Sequence, residues 1–143
     1  MKRQEFLDLA EERLREAKCL LDAGLWSGAY YLSGYAVEFF LKAMIAAQFK
    51  ANDIPDPKEV RNIWTHDLNA LVRLAKLEPD LEGHCKRAPQ FDQNWNEVRN
   101  WSESARYENI DKERALALHV ALSDPNDGVI AWIRSKLQGA GQS

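Results

Sequence analysis

Residues 26–42, Trp26-Ser27-Gly28-Ala29-Tyr30-Tyr31-Leu32-Ser33-Gly34-Tyr35-Ala36-Val37-Glu38-Phe39-Phe40-Leu41-Lys42, carry two stripes when wound as a helix. Trp26, Ala29, Tyr30, Ser33, Val37, Phe40 and Leu41, continuing to Met44, recur at spacings of three and four, the pattern of a core face. Tyr31, Tyr35, Glu38 and Lys42 recur at four, three and four, and at about 100° per residue they share one narrow arc. Two tyrosines with an acid and a base on one arc make a candidate site. The plainer reading is an i to i+4 ion pair between Glu38 and Lys42, beside tyrosines that bury their rings and wet their hydroxyls.

Working outward, Phe6, Ala10, Leu14, Ala17 and Leu21 predict a first helix from about Glu5 to Ala23, with Gly24 ending it. The second helix then runs from about Trp26 to Phe49, and so short a link makes the pair an antiparallel hairpin. Ala51 to Pro57 reads as a loop by its Pro, Asn and Asp content, and Pro57 starts a short turn through Trp64. Thr65 reads as the N-cap of a helix that turns Leu68, Leu71, Val72 and Ala75 inward, with Asp67 in its first turn. Glu78 to Gln90, holding Pro79, Gly83 and Pro89, reads as a connection with about one helical turn. A fourth helix spans about Phe91 to Arg106. A fifth starts near Asp111 and is interrupted at Pro125, with Ser123 or Asp124 as cap of the restart. The fold class is all-α, an up-and-down bundle of four to five helices: one domain over 1–138 and a disordered tail over 139–143.

A chain of 143 residues buries a core without disulfides or metal. No transmembrane span and no signal-peptide core are evident, so the chain reads as cytoplasmic, with no membrane partner. Cys19 and Cys85 lack paired ligand spacing, and Cys19 sits among first-helix apolar positions where a buried thiol is common. A net charge of −3 argues against a protein that coats duplex nucleic acid, and leaves room for a local basic site.

The fourth helix has its own polar stripe, Arg99, Glu103 and Arg106, followed by Tyr107. Two arginines on one face can hold a phosphate by bidentate hydrogen bonds, or Glu103 can bridge both in a solvated network. Of His66, His84 and His119, none belongs to a zinc motif, and neither metal nor cofactor is expected. His66 is placed at a helix start, where the dipole disfavours a proton and leaves the imidazole able to accept one.

Taken together, Ala29 to Lys42, Thr65-His66-Asp67-Leu68 and Ala105-Arg106-Tyr107-Glu108 resemble, in order and rough spacing, the three signature blocks of HEPN domains. The resemblance implies a helical bundle, usually a homodimer, often encoded beside a minimal nucleotidyltransferase that serves as its antitoxin. Some members are metal-independent ribonucleases; others bind nucleotides or partner proteins. The nuclease members carry an Arg, then a His after four to six residues, near the start of a late helix. Here Arg99-Asn100 has no His in that window, and the spacing is met only by Arg61 and His66. Residues five apart point about 140° apart on a straight helix, so this pair converges only across a break or a dimer. The sequence therefore reads as a small protein that binds a nucleotide, an RNA phosphate or a partner, within a toxin–antitoxin or defence system. Tyr31, Tyr35, Glu38, Lys42, Arg99, Arg106 and Tyr107 are its phosphate- or nucleotide-binding candidates. The alternatives are a ribonuclease toxin with His66 and Arg61 catalytic, and a purely structural dimer. Dimerisation is also expected from Trp26, Tyr30, Phe39, Phe40, Trp95 and Trp101, more aromatic surface than one bundle seam hides. Glu38 and Arg106 are expected to pair directly across the second and fourth helices.

Overall fold

The first two helices are held as a hairpin by one glycine. A computed structural model describes residues 2–49 and 61–140. Helix α1 (Arg3–Asp22) ends in a Schellman turn in which the amide of Gly24 donates to Leu21 and that of Leu25 to Leu20, at 3.1 and 2.9 Å. That turn needs a left-handed residue at its centre, and Gly24 supplies it with φ +75°. The chain reverses into α2 (Trp26–Ala46), which lies antiparallel along α1. Cys19 is exposed, contrary to expectation: two residues past Ala17, it stands about 200° round the helix from the buried stripe.

Helix α2 is the hub. It touches α1, α3 (Leu68–Leu74), a 3₁₀ helix (Glu103–Tyr107), α6 (Lys112–Ser123) and α7 (Val129–Ala140). Between these lie α4 (Glu78–Arg87) and α5 (Pro89–Arg99), so the described residues form seven α-helices and one 3₁₀ helix, with no strand. The all-helical bundle is as the sequence predicts, with more and shorter helices. Because neighbours surround it, α2 buries Ala36, Val37, Phe40 and Leu41 and also Glu38 and Lys42.

Several boundaries move for identifiable reasons. Pro79 and Pro89 occupy the first turns of α4 and α5, where a missing N–H costs nothing, so the expected connection is a helix of its own. The fourth predicted helix stops at Arg99, and Trp101 turns in, 3% exposed, to lie flat on the α2 backbone at Gly34. A Cβ on Gly34 would stand inside the indole. Pro125 separates α6 from α7, and Asp124 caps the turn by accepting from the Asn126 amide at 3.0 Å. The cap of α3 is Asp67, accepting from Asn69 at 3.0 Å, while Thr65 accepts from the Asp67 amide at 3.1 Å. His66 consequently lies one residue before the N-cap and not within the helix. The expected tail is helical as far as Ala140. Residues 141–143, the Ala51–Pro57 loop and the start of the turn after Pro57 lie outside the described residues.

Of the six aromatic residues behind the dimer expectation, Tyr30, Phe40, Trp95 and Trp101 are each at most 5% exposed, whereas Trp26 and Phe39 are only partly buried. Among the described residues, no helix is long and apolar enough to cross a membrane. Gly34→Ala should destabilise the fold by about 1–3 kcal/mol or more through overpacking, measured as a lower denaturant midpoint with unchanged slope. Gly139→Ala, at a position with open space around it, should be neutral or slightly stabilising in the same melt.

Candidate functional site

Gly34, Glu38 and Lys42 follow one another at i, i+4 and i+8, so they form a single ridge of α2. Trp101 covers the first position, and the link before α3 brings His66 to the second. The Glu38 carboxylate, 1% exposed, accepts from Lys42 Nζ at 2.9 Å and contacts His66 Nδ1 at 2.8 Å. The other ring nitrogen, Nε2, meets Glu103 Oε2 at 2.7 Å. Glu103 Oε1 then faces Arg106 at 3.5 Å. Five side chains from three segments thus form one line, Lys42–Glu38–His66–Glu103–Arg106, that rises from the core to the surface.

Tyrosines flank this line. Tyr35 lies 5.9 Å from the His66 ring, 5.7 Å from Trp101 and 5.1 Å from Tyr31, centroid to centroid. Burial, then the Tyr31 hydroxyl and the Glu38 carboxylate, pushes the Tyr35 phenol well above its ordinary pKa. At the outer end the Arg106 guanidinium stacks 4.7 Å from the ring centre of Tyr107, which is 79% exposed. The Tyr107 phenol, and after it Glu103 and Tyr31, raises the Arg106 pKa.

Seven of the nine sequence candidates therefore come together: Tyr31, Tyr35, Glu38, Lys42, His66, Arg106 and Tyr107. Two do not. Arg99 borders another depression, with Asn69, Arg73 and Asp92, because α5 ends before the chain reaches the 3₁₀ helix. Arg61 faces a depression shared with Asn62, Thr65 and Arg73, whose lining does not include His66. The expected Glu38–Arg106 pair is indirect: among the described residues His66 and Glu103 stand between them. The sequence spacing offered Glu103 to both Arg99 and Arg106; the Arg106 contact forms at 3.5 Å, whereas the break at Trp101 parts Glu103 from Arg99 and brings it to His66.

Chemically, this geometry holds the imidazole by both nitrogens. A buried carboxylate behind a histidine fixes the orientation of its ring, and here each ring nitrogen lies within hydrogen-bond distance of a carboxylate. Nε2 is engaged by Glu103 at 2.7 Å. The outer end differs, because Arg106 has five N–H donors and a single ion-pair contact at 3.5 Å.

Glu38→Ala should cost about 3–5 kcal/mol, since it leaves the Lys42 ammonium buried without its carboxylate, and replacing both residues by leucine should recover most of that loss in a urea melt. Tyr35 sets an alkaline limit. Between the ordinary phenol pKa of about 10 and its raised folded value, the unfolded chain releases a proton that the folded chain keeps. Stability therefore falls as pH rises above about 10, and Tyr35→Phe should make that fall shallower in melts recorded from pH 8 to 11.

A search of curated proteins and one of solved structures return no match. The model of the HEPN domain family matches residues 4–124, from α1 through the end of α6. The chain belongs to the HEPN domain family.

Proposed function

We propose that this HEPN domain binds a phosphate-bearing ligand, a nucleotide or RNA, at the outer end of the charged line, with Arg106 as the phosphate ligand and Tyr107 and Tyr31 beside it. The observation that carries this reading is the contrast in burial between the two ends of the line: taken in order, side-chain exposure is 1% at Glu38, 39% at His66, 27% at Glu103 and 46% at Arg106. The inner members are fixed by partners in a low-dielectric setting, and the outermost cation is positioned yet only loosely paired. An arriving phosphate competes with one long contact to Glu103 and gains a planar, multidentate donor. Lys42, Glu38, His66 and Tyr35 act as positioning residues in this reading.

Ribonuclease activity is the second reading, supported by family membership and by a histidine within one residue contact of the arginine-bearing 3₁₀ helix. It requires Glu103 to release Nε2. The isolated chain should therefore cleave RNA weakly or not at all. Homodimerisation and pairing with a nucleotidyltransferase-type antitoxin belong to the same proposal; light scattering and the neighbouring reading frame test them.

Calorimetric titration with ribose 5-phosphate should show binding that Arg106→Ala weakens about tenfold or more, as expected for a charged hydrogen-bond partner, with helicity unchanged by circular dichroism. No heat with the wild type would leave the charged line a structural device. A metal-independent cleavage that His66→Ala reduces by about 10²–10⁴-fold, in a folded variant, would replace this reading with the ribonuclease one.

A further inference from the structure

Lys42 has a second environment. Its ammonium carries three N–H donors, and among the described residues its recorded partner is Glu38 alone. The side chain is nine-tenths buried and also borders a cavity of about 320 Å³ between α1, α2 and the segment before His66. Four aromatic rings wall this cavity: Phe6, Phe39, Phe49 and Trp64. Phe6 and Phe39 stack with centroids 6.4 Å apart. Trp64 closes it while remaining 77% exposed. The same indole borders the depression of Arg61 and Arg73, so it has aromatic walls to one side and two guanidinium groups to the other.

An aliphatic occupant would fill the cavity and offer no acceptor to the two Lys42 donors that Glu38 does not take. A planar heterocycle with an acceptor edge answers both demands, because its face stacks on the indole and its edge accepts from Nζ. The identity of that edge follows from the donor-only character of lysine. Guanine presents two acceptors side by side, O6 and N7, whereas adenine places an amino donor beside N7. An ammonium that engages both positions therefore matches guanine, whereas at adenine only N7 accepts and the amino group opposes it.

We infer that the cavity walled by Phe6, Phe39, Phe49 and Trp64 is a base subsite selective for guanine, with Lys42 reading its acceptor edge. This rests on the nucleotide or RNA reading above and adds the base and its position. It also couples the two sites, since Lys42 holds Glu38 on one side and the base on the other.

Titration of the full chain with GMP, AMP, guanosine and ribose 5-phosphate, for the wild type and Trp64→Ala, tests it. The exposure of Trp64 keeps its replacement compatible with folding. GMP should bind about tenfold or more tightly than AMP, and Trp64→Ala should weaken GMP by about tenfold while leaving ribose 5-phosphate unchanged. Equal affinity for GMP, AMP and ribose 5-phosphate, insensitive to Trp64→Ala, would remove the base subsite and leave the phosphate reading standing. Guanosine binding that Trp64→Ala abolishes, without any response to ribose 5-phosphate, would support the subsite and overturn the phosphate reading. No binding of any of the four would overturn both. A guanine-containing oligoribonucleotide that outcompetes GMP would identify RNA, in place of the free nucleotide, as the source of the base.

Discussion

A carboxylate buried inside the central helix is the constraint on which the candidate site depends. Glu38 cannot be left alone at 1% exposure, because an uncompensated charge in that setting costs several kcal/mol. Lys42, one turn along the same helix, supplies a cation through local geometry. Lys42 is itself buried, however, and the second carboxylate oxygen still needs a donor. His66 meets that need from a segment far off in sequence, and this draws the link before α3 against α2. Glu103 then engages the far side of the ring, so the 3₁₀ helix is held over the same spot. Trp101, seated on Gly34, completes the cover. The fold around α2 is in this sense organised by electrostatic satisfaction as well as by apolar burial.

The line of charges changes character along its length. Near Glu38 solvent is excluded and the interactions are strong and directional; near Arg106 water and salt weaken them. A site built this way has a rigid base and a responsive tip. Tyr35 contributes to the rigidity, with its ring packed among His66, Trp101, Tyr31 and Phe39. Tyr107 contributes to the response, since its ring is largely in water and keeps Arg106 company by a cation–π contact. Lys42 stands at the junction of this line with the aromatic cavity, where a change in its hydrogen bonding would be felt by Glu38 and His66.

Much of this was legible in the sequence. The apolar spacing of α1 and α2, the glycine at position 24 and the lack of strand periodicity determined an all-helical bundle opened by a hairpin, because these signals depend only on residues within a few turns of one another. The same local periodicity placed Tyr31, Tyr35, Glu38 and Lys42 on one arc, and the ordered blocks at 29–42, 65–68 and 105–108 pointed to the HEPN family whose model matches residues 4–124. What periodicity could not reveal was what covers that arc. The polar stripe read either as a site or as an ordinary ion pair, and tertiary packing buried its two charges. Tertiary structure also broke the fourth predicted helix at Trp101, since burying an indole on Gly34 outweighs continuing a helix, and that break separated Arg99 from Arg106 and gave Glu103 to His66. Partners far apart in sequence are chosen by burial and by charges that must be neutralised together, and no spacing rule along one chain encodes that choice.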